Sequence, residues 1–135
     1  MRYGQLYTTY KESFADAVSF VPQELFAKCK QANKGDILMA LTGENKPDIA
    51  LAVVYEGDNP IAIGGDMTRF TPIRVNSHYL MKVINSPHGI AQKVKTATGD
   101  IIVHTSNDKL AAMLIPLPPL TEQKLVCNKI SKGVI

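Results

Sequence analysis

The longest unbroken apolar run in the chain is IALAVVY, residues 49–55. It is far short of the roughly 20 residues that a membrane-spanning helix needs. Its length and its flanking polar turns fit a buried strand. A second run, DILMALTG (36–43), is ended by glycine and reads the same way. Two buried strands need neighbours and cover. A chain of 135 residues can supply both within one domain, since a domain of this size buries roughly two thirds of the surface its unfolded form exposes. A content of 45% hydrophobic and 20% charged residues is that of a globular protein, not a disordered one.

The remaining elements follow from turn residues and period. Pro22 opens a short helix over residues 23–30, because its missing N–H is not needed in a first turn. NKGD (33–36) is a turn, and TGENKPD (42–48) is a polar loop. EGDNP (56–60) turns the 49–55 strand and predicts a hairpin-like pair with IAIGGDM (61–67), which breaks at Gly64–Gly65. FTPIRV (70–75) is a further short strand that Pro72 restricts to a sheet edge. The period then changes. In NSHYLMKVINSPHGIAQKVK, Tyr79, Leu80, Val83 and Ile84 share one helical face, capped by Asn76 or Ser77. Asn85-Ser86-Pro87 interrupts, and a second short helix carries Ile90 and Val94. TGDIIVH (98–104) returns to a strand, and TSNDKLAAM (105–113) suits a short capped helix or a turn. In LIPLPPL (114–120) the prolines keep the chain extended. Thr121 then caps a helix from Glu122, with Leu125, Val126 and Ile130 inward.

Fifteen basic residues against 12 acidic ones give a net charge of +3, which permits a polyanionic partner without requiring one. Lys28, Lys30 and Lys34 cluster, as do Lys93 and Lys95, either as solvated faces or as phosphate contacts. The two cysteines, Cys29 and Cys127, lack CxxC spacing and read as free thiols. MRYGQLYTTYKE has no apolar core of a secretory signal, so the expected location is the cytoplasm. Catalytic motifs are missing. Pro118–Pro119 sit between leucines, without the acid and aromatic of an adenine-N6 methyltransferase motif. Gly64–Gly65 form no GxGxxG cradle. PDIALAVVYEGD begins like a metal-dependent nuclease core, but Asp58 stands where its lysine would be. His78, His88 and His104 show no metal-ligand spacing. Sequence closeness of His104, Ser106 and Asp108 does not make a triad.

Several phrases in order resemble the specificity subunit of type I restriction-modification enzymes: RYGQLYTTY (2–10), KGDILMALTGE (34–44), IAIGGDM (61–67), YLMKVINSP (79–87) and TGDIIVHTSNDKLAAMLIPLPPLTEQ (98–123). The resemblance implies an α+β fold, with a curved, mainly antiparallel sheet, short helices and the start of a C-terminal spacer helix. Residues 1–117 would form a target-recognition domain, and residues 118–135 a proline exit and the beginning of that helix. Family members usually carry a further segment before the RYG phrase and a second recognition domain, so the expectation is one half of a specificity subunit. It would be non-catalytic and hold no cofactor. Its partners would be double-stranded DNA, methyltransferase subunits, a restriction or motor subunit, and a second copy through the C-terminal helix. No membrane is implied. The rivals are a standalone methyltransferase or nuclease, and an interaction remnant without DNA binding.

Reading bases and phosphates needs donors and acceptors on exposed loops. Arg2 can form a fork with guanine, while Tyr7, Thr8, Tyr10 and Lys11 suit phosphate. Thr42, Glu44 and Lys46 lie on a polar loop after a buried strand. Gly64, Gly65 and Asp66 allow close backbone approach. Lys93 and Lys95 suit phosphate, and His104, Thr105 and Ser106 sit near a helix start. Leu125, Val126 and Ile130 are the expected subunit interface.

Overall fold

The computed structural model describes Met1, residues 12–17 and residues 20–131, the last by its backbone alone. Arg2, Tyr7, Thr8, Tyr10 and Lys11 lie outside the described residues. The elements in order are β1 (Ser13–Phe14), α1 (Gln23–Phe26), β2 (Lys30–Ala32), β3 (Ile37–Ala40), β4 (Thr42–Gly43), β5 (Val53–Tyr55), β6 (Ile61–Ile63), β7 (Met67–Phe70), α2 (Ser77–Asn85), α3 (Pro87–Thr96), β8 (Val103–His104), α4 (Asn107–Ala111) and α5 (Leu120–Ser131).

Both apolar runs meet at the centre of the molecule. The largest sheet has the order β1-β5-β3-β7. β3 pairs antiparallel with β5 and with β7, and β1 adds a parallel pair to β5. Side chains alternate across a strand, so β3 feeds two cores. Leu38 and Ala40 join Phe14, Val53, Tyr55, Ile63 and Met67 on one face. Ile37 and Met39 join Val54, Leu80, Met81, Ile84 and Val103 on the other. A strand covered on both faces has no solvent side to mark with polar residues, which is why Ile37–Ala40 and Val53–Tyr55 are apolar throughout. The expected 49–55 strand forms only over Val53–Tyr55, because residues 47–50 turn and Ala50 sits at φ +53°, and the expected 36–43 strand divides into β3 and β4. Full burial of each large side chain in β3 contributes about 1.5–3 kcal/mol. The α+β class expected from the sequence holds, with mixed strand pairing.

The expected 49–55/61–67 hairpin does not form. A strand has two edges, and β3 and β1 occupy both edges of β5. β6 pairs antiparallel with β2 instead. That pairing also stops α1 at Phe26, well before residue 30, because residues 30–32 are needed as a strand. β7 begins before FTPIRV and ends at Phe70, leaving Pro72 outside it. Of the expected 98–104 strand, only Val103–His104 is extended into a pair. Gly99, at φ +102°, turns the chain back so that the two ends meet.

The helix pair forms as the period predicts. Asn76 caps α2, its Oδ1 accepting from the Tyr79 N–H at 3.0 Å. Tyr79, Leu80, Met81 and Ile84 are its buried residues, while Val83 is half-buried. Ser86 caps α3, with Pro87 in the first turn. Gly89 lets α3 begin hard against the end of α2: a Cβ there would lie 2.2 Å from the Ile84 carbonyl oxygen. The buried residues of α3 are Gly89 and Lys93, with Ile90 and Val94 only half-buried. No helix among the described residues is long and apolar enough to cross a membrane.

The proline segment is extended and tied down at every second residue. The Gln92 amide pairs with both backbone groups of Leu114, at 2.8 and 2.9 Å. The Tyr79 hydroxyl donates to the Pro116 carbonyl at 2.7 Å, and Gln123 Nε2 donates to the Pro118 carbonyl at 2.7 Å. Gln123 Oε1 in turn accepts from the Asn76 N–H at 2.8 Å. α5 already includes Leu120, so Thr121 is inside the helix and not its cap. Its buried residues are Gln123 and Cys127. Val126 is half-buried, and Leu125 and Ile130 are exposed, which corrects the expectation that all three point inward. Gln123 takes that place because its amide satisfies the Pro118 carbonyl and the N–H of Asn76 at the start of α2.

Candidate functional site

Three stretches far apart in sequence meet where β3 ends. The Leu41 N–H donates to the Asp66 carbonyl at 2.8 Å, and the Thr105 N–H donates to the Leu41 carbonyl at 2.9 Å. One residue on, β4 pairs with β8, placing Thr42 opposite His104 and Gly43 opposite Val103. Thr42 Oγ1 and His104 Nδ1 are 3.3 Å apart. The sheet thus brings together the 42–48 loop, the 64–66 turn and residues 104–106. Thr105 Oγ1 is buried and has no hydrogen-bond partner among the described residues. Such a group costs free energy unless a partner arrives. Ser106 is less available, since its hydroxyl accepts the Lys109 N–H at 3.3 Å as the cap of α4.

Each stretch is held in shape. In the 42–48 loop, Asn45 Nδ2 donates to Asp48 Oδ2 and Asn45 Oδ1 accepts the Asp48 N–H, both at 3.0 Å. Its downstream root passes through Ala50, which is buried at φ +53°, a region that a non-glycine residue occupies only under constraint. The helix pair supplies that constraint. Asn85 bonds both backbone groups of Ala52 at 2.8 Å, and Lys93 Nζ donates to the Ala50 carbonyl at 3.0 Å. The 64–66 turn is braced by Lys30, whose Nζ donates to the Met67 carbonyl at 2.6 Å and the Gly65 carbonyl at 3.3 Å. Gly64 is half-buried, while Gly65 and Asp66 are exposed.

Lys93 is therefore not a phosphate contact. It is 2% exposed, and desolvation lowers its pKa from 10.5 to about 8. On α3 its position falls on the inward face, where Ala50 needs a donor. Lys95, two residues on, is exposed, as is Glu44, while Lys46 is half-buried. The charges on the converging stretches are mixed: Glu44, Asp48 and Asp66 accompany Lys30 and Lys46. Such a surface can present acceptors to base amines and donors to phosphates or base carbonyls. Of the other lysines expected to cluster, Lys34 pairs with Asp58 at 3.1 Å on the surface, and Lys28 is exposed.

Sequence reasoning missed Asn85, Gln92 and Gln123, which fix the loop root and the proline exit. Asn85 lies in an N-S-P phrase that reads as an interruption. A glutamine carries no signal that separates a buried amide from a surface one. Behind α4 lies an apolar recess of about 400 Å³, lined by Met39, Phe70, Leu80, Ile84, Leu110 and Ile115 among others. No three His, Cys, Asp or Glu side chains among the described residues are grouped as metal ligands would be. Compared with known proteins, the chain matches no family model, and no curated protein matches it.

Proposed function

We propose that this chain recognises double-stranded DNA as a target-recognition domain like those of type I restriction-modification specificity subunits, without catalysing a reaction itself. The observation that carries the reading is the convergence at Leu41. The phrases KGDILMALTGE, IAIGGDM and TGDIIVHTSND resemble those of the family, and their polar tips meet at one end of β3. In this reading Thr42, Glu44, Asp66 and His104 face base edges. Lys46 and Lys95 meet phosphates. Lys93 and Asn85 hold the 42–50 segment in register.

The pinned proline segment supports a second part of the same reading. α5 begins at an angle fixed by Tyr79, Asn76 and Gln123, as the start of a spacer between two half-sites requires. Methyltransferase and motor subunits, or a second copy, would dock on the spacer side, where Leu125 and Ile130 are exposed. The rival reading, an interaction module without DNA binding, draws on that same exposed face. Selection from a pool of randomised duplexes separates the two. Enrichment of a defined sequence supports recognition, and no enrichment over a lysozyme control at low salt contradicts it.

A further inference from the structure

β8 carries more than His104 to the site. The chain between Thr98 and His104 is a closed loop: the Thr98 N–H donates to the His104 carbonyl at 3.0 Å, and the His104 N–H donates to the Thr98 carbonyl at 2.8 Å. Gly99 turns it at φ +102°, where a Cβ would lie 2.2 Å from the Ile102 carbonyl oxygen, so no other residue fits. Val103 is 1% exposed and anchors the loop in the core. The tip then presents Ile101 at 87% and Ile102 at 58% exposure. One step beyond the last pair of the β4–β8 register lie Glu44 and Ile102. Two adjacent isoleucines on a braced tip, beside the polar residues Thr42, Glu44 and His104, are out of place on a surface that meets only water.

We infer that Ile101 and Ile102 are specificity determinants that contact thymine C5-methyl groups in the major groove. The inference rests on the DNA-recognition reading above. Of the groups that base pairs present in that groove, the thymine methyl is the apolar one, and aliphatic side chains read it by contact. Because β8 is continuous with His104, the apolar tip and the polar readers would move as one body.

The test uses duplexes enriched by the whole chain from a randomised pool, and the same duplexes remade with deoxyuridine in place of thymidine, which removes only the methyl groups. The wild-type chain is expected to bind the deoxyuridine duplexes about four- to fifteenfold more weakly, the loss that one or two buried methyl contacts imply. The double variant Ile101→Ser, Ile102→Ser should melt like the wild type and bind both duplexes equally. Equal binding of both forms by the wild type would overturn the inference and leave DNA recognition standing. So would an undiminished methyl preference in the double variant, or enriched sequences without A·T pairs. Failure to enrich any duplex would overturn both.

Discussion

Replacing Lys93 with methionine should stabilise the fold and leave any DNA binding by charge untouched. The amine is 2% exposed, and its partner is a neutral carbonyl, Ala50, at 3.0 Å. Its pKa of about 8 lies below the ordinary 10.5. Between about pH 8 and 10.5 the unfolded chain therefore binds more protons than the folded one, so this group makes stability rise with pH across that window. Conversely, below pH 8 the folded state bears the cost of a buried ammonium, about 3–4 kcal/mol for the fall from 10.5 to about 8 at ~1.4 kcal/mol per pKa unit. Methionine removes that cost and fills a similar volume, but deprives the Ala50 carbonyl of a donor, a loss of about 1 kcal/mol. The net expectation at pH 7 is a gain of about 2–3 kcal/mol, or a melting temperature higher by roughly 6–12 °C. Thermal melts at pH 7, 8.5 and 10 on both proteins read it, and their difference isolates Lys93 from other groups that titrate there. The gap should close as pH rises. A gap that does not change with pH, or a variant less stable than wild type by more than 2 kcal/mol at pH 7, would refute the reasoning.

Gln123→Leu keeps the helix but strands the Asn76 N–H and the Pro118 carbonyl. It should cost about 2–3 kcal/mol by urea denaturation and loosen residues 113–120 in hydrogen exchange. Gly89→Ala forces a methyl against the Ile84 and Val83 carbonyls and should cost about 1–3 kcal/mol, whereas Ala111→Gly, on exposed α4, should cost no more than about 1 kcal/mol. DNA binding should weaken with salt at a log–log slope of about −2 if Lys46 and Lys95 each meet a phosphate. Lys95→Gln should then flatten the slope by about 1, while Lys93→Gln leaves it unchanged. Equal effects of the two substitutions in a filter-binding titration would mean that Lys93 reaches the surface.

Local signals carried much of the secondary structure. The strand beginning in the 36–43 run, the Asn76 cap, the short capped helix within 105–113, the Pro87 restart and the extended prolines are each specified by a few neighbouring residues. Pairing was not legible in the same way. Residues 56–60 look like a hairpin turn, yet whether β5 and β6 pair depends on β1 and β3 taking both edges of β5, which no local residue encodes. Lys93 illustrates the same limit at the site. A lysine two residues from another lysine reads as a surface charge, and only the position of Ala50 across the fold makes its face the inward one. The convergence of three polar stretches was likewise invisible before the sheet order was known, although each stretch separately stood out. Ile101 and Ile102 read as ordinary strand residues, because exposure is a property of the turn at Gly99 and not of the run that contains them.

The central claim, that the loops meeting at Leu41 form a DNA interface, is tested most directly by hydrogen–deuterium exchange of the whole chain with and without an enriched duplex. Protection is expected in residues 41–48, 64–66 and 98–106, with α5 unchanged by DNA alone. Protection confined to α5 or to the β2–β6 pair, with the three loops exchanging as in the free protein, would contradict it.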